Sequence, residues 1–253
     1  MSEKKSATKS GKSSSKHQPY GLTILFEDRD IIVVDKINGL LTIGTGKGRD
    51  NERTAHYLLN NYVQKGNIRS KNRVYIVHRL DKDTSGILVF AKNIKAKDYL
   101  QKEWSSFKKK YYAVVNGRMP EKQGTITTFL SENKAHRVYV AGEDENGKLA
   151  KTGYKTLLTN KRYSLLEIEL FTGRKHQIRV HLAHIKYPVL GDKIYNSGGT
   201  SSKRLALHSF SLTIKHPYTK EPMTFETDVP EYFKALVKSP KPKNNSKSGE
   251  ESK

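Results

Sequence analysis

The stretch VHRLDKDTSGILVFAK, residues 77–92, places the carboxylate of Asp81 between Arg79 and Lys82 and then runs into an apolar, β-branched segment. The apolar part is typical of a buried strand, and DKDTSG is typical of a turn because Asp, Thr, Ser and Gly each favour turn backbones. Two interpretations of Asp81 remain open at this point. It is either a turn residue or a reactive carboxylate held ionised in a cationic cleft.

Short strands dominate the chain around this stretch. Strands are predicted on both sides of DKDTSG, and few helices lie between successive strands, which favours an α+β fold. We expect a mixed, largely antiparallel central sheet flanked by helices. Further strands are predicted at 31–36, 109–117, 124–130, 136–141, 152–159 and 163–171, with a closing hairpin after them, and helices at 54–66, 94–107, 172–185 and 230–239.

The charge of the chain indicates a polyanionic partner. Its 253 residues include 47 Lys and Arg against 25 Asp and Glu, which gives a formal net charge of +22. Nucleic acid, an acidic membrane surface and an acidic protein all fit that excess. No apolar run approaches the roughly 20 residues that span a bilayer, so an integral membrane protein is not expected. The absence of cysteine excludes disulfides, thiol chemistry and Cys-ligated metals.

Both ends of the chain are rich in Ser and Lys. Residues 1–18 and 239–253 cannot bury enough apolar surface to order themselves, so we expect two disordered basic tails around one folded domain at 19–238. The first tail has no apolar core and is not a secretory signal. We expect a cytoplasmic protein.

The segment TGRKHQIRVHLA, residues 172–183, indicates an anion site. We expect a helix over 172–185 whose first turns carry Arg174, Lys175 and Arg179. Helix N-termini offer free amides and a positive dipole end, so cations there bind anions. A solvated basic helix face is the alternative interpretation.

Two further patterns were considered for cofactors. His176, His181 and His184 are offset by five and three residues and do not share one helix face as zinc ligands. The Gly-rich loop at 44–53 lacks the Gly-Lys-Ser/Thr ending of a nucleotide-phosphate loop. Neither a metal nor a nucleotide cofactor is therefore predicted.

The segment KKKYYAVVNG, residues 108–117, runs from lysines into two tyrosines on a strand. Tyr111 and Tyr112 must point to opposite faces of the sheet. One ring can serve as a stacking platform for a nucleic-acid base, with Lys109 near the phosphate. The alternative, a cross-strand aromatic pair in the core, is expected for the other ring.

Taken together, these segments resemble the RluA family of RNA pseudouridine synthases. The resemblance rests on VHRLDKDTSGILVFAK, KKKYYAVVNG, LEIELFTGRKHQIRVHLAHIKYPVLGDKIY and LALHSFSLTIKHP, with VVDKINGLL similar to the first motif of the family. The segments occur in the family's order and cover about residues 24–230. The family commonly has Pro at the position of Ile37.

The resemblance implies a pseudouridine synthase catalytic fold with an RNA-binding cleft at 19–238. It implies isomerisation of uridine to pseudouridine in large-subunit ribosomal RNA, in tRNA or in both, without a cofactor, by an enzyme that we expect to be a monomer. Many members carry an additional N-terminal RNA-binding domain of the ribosomal-protein type. We expect this chain to be a compact member without it.

The resemblance also implies roles for individual residues. Asp81 matches the catalytic carboxylate and Arg179 the cation that pairs with it. Tyr111 matches the tyrosine that stacks on the target base and can assist removal of the carbon-5 proton. Whether Asp81 attacks the anomeric carbon of the sugar or abstracts the 2′ proton stays open. The expected RNA-binding residues are Arg79, which would fill the gap left by the flipped base, and Lys36, Lys82, Lys109, Arg174, Lys175 and His176.

This assignment answers the question raised by Asp81. A carboxyl group that is covered by a base loses water and tends to become protonated, whereas a cation at close range favours its ionised form. Arg179 is thus expected to keep the carboxylate charged when the site closes. A non-catalytic RNA-binding protein on the same fold and an RNA glycosylase remain as alternatives.

Overall fold

The computed structural model describes residues 18–44, 49–67, 69–142, 146–196 and 202–238. These residues form one mixed sheet with helices on both faces. The predicted tails lie outside the described residues, apart from Gln18. The strands are β1 Leu22–Glu27, β2 Ile31–Lys36, β3 Tyr75–Ile76, β4 Ser85–Ala91, β5 Lys108–Asn116, β6 Gln123–Glu132, β7 Val138–Ala141, β8 Lys148–Thr159, β9 Tyr163–Leu170, β10 Leu207–Lys215 and β11 Pro222–Glu226; the helices are α1 Ala55–Gln64, α2 Ile94–Glu103, α3 Gln177–His184 and α4 Glu231–Val237, with short 3-10 turns at Arg49–Arg53 and Trp104–Ser106.

The strand order confirms the predicted α+β class. The main path runs β1-β2-β4-β10-β5-β9-β8-β6-β7, with β11 beside β10 and β3 beside β4. Among the described strands, β4 and β10 form the one parallel pair, and every other pair is antiparallel. The central strands read as continuous apolar runs because helices cover both faces of the sheet.

Each face of the sheet has its own helices. We call the face that carries Tyr111 the front face; there α1 and α3 pack through residues such as Leu59 and Leu182. On the back face, α2 packs through Leu100 and α4 through Phe233. All four of these helix side chains are fully buried, so each contributes about 1.5–3 kcal/mol through removal from water.

The parallel seam between β4 and β10 joins the two halves of the sheet at the middle of the molecule. Ser209 on β10 lies opposite Gly86 on one side and opposite Tyr111 on the other. Gly86 has φ +111°, and a Cβ at this position would lie 2.2 Å from the carbonyl oxygen of Ser209. Glycine is therefore required here, and the close approach brings the loop that precedes β4 beside Tyr111.

Two predicted elements are shorter in the structure. The strand predicted before DKDTSG is reduced to β3, because the chain then leaves the sheet and the ring of His78 accepts a hydrogen bond from the Val89 amide at 3.2 Å. The helix predicted from residue 172 begins only at Gln177. The preceding residue, His176, has a left-handed backbone with φ 53° and cannot continue a helix.

That late start corrects the predicted anion site. Arg174 and Lys175 lie in the turn before α3 rather than in its first turn. The side-chain oxygen of Gln177 holds this turn by accepting hydrogen bonds from the Arg174 amide and the Thr172 hydroxyl.

Within the described ranges, no helix is long and apolar enough to cross a membrane.

Candidate active site

Asp81 lies in the loop between β3 and β4, at the front face of the seam. One of its oxygens, Oδ2, accepts a hydrogen bond from Nη1 of Arg179 at 3.0 Å. The other oxygen, Oδ1, accepts no hydrogen bond from the described residues; Nε2 of His176 lies 3.8 Å from it. The side chain of Asp81 is 31% exposed, so the carboxylate is partly open to solvent.

A second aspartate fixes Arg179 in place. Asp192 accepts two bonds from the guanidinium, from Nε at 2.7 Å and from Nη2 at 2.9 Å. Asp192 also accepts hydrogen bonds from the backbone amides of Ile194 and Tyr195, at 2.9 and 3.1 Å. The Asp192 side chain is fully buried. This forked pairing leaves Nη1 as the edge of the guanidinium that points to Asp81.

The electrostatics of this pair keep Arg179 charged. Burial alone lowers the pKa of the guanidinium, but the hydrogen bond and charge of Asp192, together with Asp81, raise it above its ordinary value. Burial likewise raises the pKa of Asp192, and the bonds from Arg179 and the two amides outweigh this effect and lower it. A permanent cation therefore stands beside Asp81.

Lys36 holds the loop that carries Asp81 and does not reach the surface. Its side chain is fully buried at the end of β2. Nζ donates to the carbonyl oxygens of Leu40 at 2.8 Å, Ile37 at 3.1 Å and Lys82 at 3.2 Å. Burial lowers its pKa to about 8, against the raising effect of Asp83, Asp81 and Asp35. The prediction that Lys36 contacts RNA is therefore wrong, because its ammonium faces the protein interior.

Tyr111 lies on β5 at the front face, buried at the base of the site. Burial, partly opposed by a hydrogen bond with Ser209 and reinforced by the charge of Asp81, raises the pKa of Tyr111 to about 12. The phenol is therefore neutral at physiological pH. Tyr112 points to the back face and stacks on Phe210 with ring centres 3.7 Å apart. The predictions that the two rings point to opposite faces and that one of them forms a cross-strand aromatic pair are confirmed.

His176 lies at the edge of the same site. Nδ1 of its ring is 2.8 Å from the hydroxyl of Tyr195, and Nε2 faces Asp81. Burial is the largest cause that lowers the pKa of His176, with Arg179 and Lys175 acting in the same direction and Asp81 opposing. The ring is therefore neutral near pH 7, and it faces the carboxylate rather than open solvent.

The remaining cations divide into exposed and buried side chains. Arg79 and Lys82 are exposed on either side of Asp81. Arg174 and Lys175 are exposed as well, and Lys175 pairs with Glu132 at 2.6 Å. Lys109 is buried, and its Nζ donates to the carbonyl oxygen of Trp104 at 2.9 Å. The predicted RNA contact of Lys109 is thus also wrong, because the ammonium is used to join β5 to the end of α2.

Two residues of the site were not singled out from the sequence. Asp192 and Tyr195 both belong to the segment GDKIY; they lie 13 and 16 residues after Arg179, and the segment carries no local signal of contact with it. The segment does belong to the stretch that resembles the family. A buried arginine needs a carboxylate partner. The acidic residue that follows the helix in this stretch, together with the aromatic residue near it, could therefore have been proposed as part of the site.

Comparisons with known proteins agree with this geometry. The RNA pseudouridylate synthase family matches residues 30–184. The chain is 36% identical over 229 residues to an uncharacterized RNA pseudouridine synthase, YhcT, of Bacillus subtilis, which covers 87% of this chain and 73% of that protein. It is 37% identical over 234 residues to ribosomal large subunit pseudouridine synthase D of Haemophilus influenzae, with coverage of 85% and 70%.

A solved structure supports the fold. The structure of human RNA pseudouridylate synthase domain containing 4 superposes with a TM-score of 0.69 at 23% identity, over 83% of this chain and 89% of that one. The sheet and the helices are therefore those of the pseudouridine synthase fold. With a family match over more than half of its length and relatives of this similarity, the chain belongs to the RluA-type RNA pseudouridine synthases.

Proposed function

We propose that this enzyme isomerises specific uridines in ribosomal RNA or tRNA, with Asp81 as the reacting carboxylate, Arg179 as its cation and Tyr111 as the residue that meets the target base. The observation that carries the proposal is the free oxygen of Asp81, which lies beside a guanidinium that cannot lose its charge. A carboxylate in that position stays ionised when a bound base excludes water.

The reaction is an internal rearrangement of the nucleoside. The bond from the sugar to ring nitrogen 1 breaks, the sugar is rejoined to ring carbon 5, the proton leaves carbon 5, and nitrogen 1 ends protonated. Asp81 either attacks the anomeric carbon or removes the 2′ proton, and its free oxygen supports both routes. The pKa of Tyr111 is about 12, so its phenol is neutral. We therefore assign Tyr111 to stacking on the base and hydrogen bonding rather than to proton abstraction.

The target base must leave its stack to reach this site. Extrusion of a base costs a few kcal/mol, and a group that fills the vacancy offsets part of that cost. Arg79 is exposed next to Asp81, and a planar guanidinium can both stack on bases and bind phosphate. We assign Arg79 to the vacancy and Lys82, Arg174 and Lys175 to the RNA backbone.

The RNA class is proposed from the relatives. The Haemophilus influenzae protein is named for the large ribosomal subunit, which makes large-subunit ribosomal RNA the first substrate to test and tRNA the second. We further propose that residues 19–238 are the catalytic domain, and that the enzyme works as a cytoplasmic monomer.

Pseudouridine mapping of total RNA from cells with and without the gene tests this function. We expect loss of signal at one or a few uridines, and the affected positions identify the RNA. The purified enzyme should then restore pseudouridine at those positions in RNA from the deletion strain. Release of free uracil instead would indicate a glycosylase, and binding without any change in the nucleosides would indicate a non-catalytic RNA-binding protein.

A further inference from the structure

His176 lies beside Oδ1 of Asp81, the oxygen that Arg179 does not bind, and its ring pairs with Tyr195; the proposed function gives this pair no role. His176 is hydrogen-bonded through Nδ1, which is 2.8 Å from the Tyr195 hydroxyl, and its Nε2 faces Oδ1 of Asp81 at 3.8 Å. Only 15% of its side chain is exposed. The ring therefore bridges two groups rather than facing solvent.

The hydrogen bonds of Tyr195 determine which ring nitrogen of His176 carries the proton. The Tyr195 oxygen already accepts a bond from the Val138 amide at 3.2 Å. Its own proton needs an acceptor, and among the described residues Nδ1 of His176 is the one within hydrogen-bond distance. When the hydroxyl donates to Nδ1, the neutral ring must carry its proton on Nε2.

The other end of the ring favours the same tautomer. With the proton on Nε2, the ring presents an N–H to the carboxylate of Asp81. The opposite tautomer would direct a lone pair at that carboxylate and would take away the acceptor that Nδ1 offers to the Tyr195 proton. Two separate contacts thus agree on one protonation state, as in metal and catalytic sites where a second partner orients a histidine.

Tyr195 itself is held firmly. Its ring lies under the guanidiniums of Arg179 and Arg137, at 5.2 and 5.7 Å from the ring centre. Both its backbone amide and that of Ile194 are bound to Asp192. The same buried aspartate that fixes Arg179 therefore also fixes the backbone of the tyrosine to which His176 is bonded.

We propose that His176 is a positioning residue that donates from Nε2 to Oδ1 of Asp81 when the substrate closes the site, and that Tyr195 sets the tautomer that makes this possible. Arg179 and His176 would then hold one oxygen each and fix the rotation of the carboxylate. The present 3.8 Å separation is longer than a hydrogen bond, and such contacts commonly shorten in the substrate complex. The inference rests on the proposed function of Asp81.

Two substitutions at one position separate this role from a structural one. In His176→Gln the side-chain amide reaches the position of Nε2 and can still donate to Asp81. In His176→Asn the shorter amide matches Nδ1, so the contact with Tyr195 is kept and the donor to Asp81 is lost. Asparagine tolerates the left-handed backbone found here better than glutamine does. A folding defect would therefore favour Asn over Gln, in the opposite direction to the proposal.

The experiment measures single-turnover pseudouridine formation in RNA from the deletion strain, together with RNA affinity and thermal stability. We expect His176→Asn to slow the chemical step about 10- to 100-fold, with RNA affinity within about threefold, and His176→Gln to be at least about fivefold faster than His176→Asn. Tyr195→Phe should slow the step about tenfold. The 15N spectrum of the ring should show the Nε2-protonated tautomer in the wild type and a mixture in Tyr195→Phe.

The outcomes distinguish this inference from the function on which it rests. An active wild type with His176→Asn at the wild-type rate, or with Asn faster than Gln, overturns the role of His176 and leaves Asp81 unaffected. An Nδ1-protonated ring in the wild type overturns the role of Tyr195. A wild type that forms no pseudouridine overturns the proposed function and this inference with it.

Discussion

Asp81 and Asp28 are both aspartates in loops at strand ends, and each has a histidine and a lysine close by. Asp28 lies in the turn between β1 and β2, with Asp30 and His216, and the ligand atoms of these three residues lie within 4.8 Å of one another. The side chains of Asp28 and Asp81 are equally exposed, at 31%. Residue types and exposure alone therefore do not distinguish the two places.

Their hydrogen bonds do distinguish them. Oδ1 of Asp28 accepts from the amides of Asp30 and Ile31, both at 2.8 Å, and Oδ2 accepts from Nε2 of His216 at 2.8 Å. Nδ1 of His216 in turn accepts from the Thr219 amide at 3.1 Å. Both oxygens of Asp28 are used to close a turn, so we assign this cluster a structural role.

Asp81 differs because it keeps one oxygen free. Its fixed cation, Arg179, binds only Oδ2, and the cation is held by Asp192 rather than by Asp81. A reactive carboxylate can thus be distinguished from a structural one by an oxygen that accepts no hydrogen bond from the protein. Each prediction below tests whether that difference separates catalysis from stability.

Replacement of Arg179 should have the largest effect. In Arg179→Gln, the buried Asp192 loses its bidentate partner, which should lower the free energy of unfolding by about 3–5 kcal/mol. Loss of the cation beside Asp81 should slow turnover by about 100- to 1,000-fold. The measurements are denaturant unfolding and single-turnover pseudouridine formation. The matched control, His216→Gln, should leave turnover unchanged. A comparable fall in turnover in this variant would contradict the distinction between a reactive Asp81 and a structural Asp28.

The two lysines beneath the loops provide the next comparison. Lys36→Met removes the donor for three carbonyl oxygens, including that of Lys82, and should cost about 1–3 kcal/mol of stability. The loop shift should slow turnover about 10- to 100-fold. Lys92 donates to the carbonyl oxygen of Asp28. Lys92→Met should cost about 0–1 kcal/mol and leave turnover intact; equal turnover in both variants would contradict the role of Lys36.

Mild acid should destabilise the fold through buried neutral histidines. Burial lowers the pKa of His78 to about 3 and those of His181 and His208 to about 4. The unfolded chain binds these protons below about pH 6.5. The free energy of unfolding should therefore fall as the pH drops from 6.5 towards 5, by up to about 1.4 kcal/mol per pH unit for each histidine.

The variant His181→Gln isolates one of these contributions. It should reduce the slope of unfolding free energy against pH by about one proton between pH 6.5 and 5, as measured by denaturant unfolding at several pH values. His181 is on α3, the helix that carries Arg179, so the effect belongs to the catalytic side. An unchanged slope would mean that the ring is not held neutral in the fold.

The smallest expected effect concerns the salt dependence of RNA binding. Lys82 is exposed beside Asp81, whereas Lys95 is exposed on α2 at the back face. Removal of one phosphate contact reduces the slope of log affinity against log salt by about 0.7–0.9. We expect that change for Lys82→Gln and none for Lys95→Gln. Equal slopes for Lys82→Gln and Lys95→Gln would contradict RNA binding at the front face through Lys82.

Local sequence patterns predicted most of the elements. Strands β2 and β4 and helix α1 follow from β-branched runs and from helical spacing after Thr54, whose hydroxyl accepts a bond from the Tyr57 amide. The α+β class followed from the shortage of crossover helices. The three residues assigned to catalysis were found because their motifs are specific to the family.

What the sequence could not supply depends on contacts between distant segments. The parallel seam joins residues more than 120 positions apart, and no periodicity reports such a pairing. Lys36 and Lys109 were predicted to contact RNA at the surface. Composition does not show that backbone carbonyl oxygens in the interior accept hydrogen bonds from both side chains. The partner of Arg179, Asp192, is likewise set by the fold and not by spacing.

The most direct test of the central claim compares Asp81→Asn with Asp28→Asn in the same assay. Both changes remove one negative charge from equally exposed carboxylates, and pseudouridine formation is followed in RNA from the deletion strain. We expect Asp81→Asn to form no detectable pseudouridine while it binds RNA within a few-fold of the wild type, and Asp28→Asn to lose stability but keep its turnover below its melting temperature. Turnover by Asp81→Asn at a rate similar to that of Asp28→Asn would contradict the account.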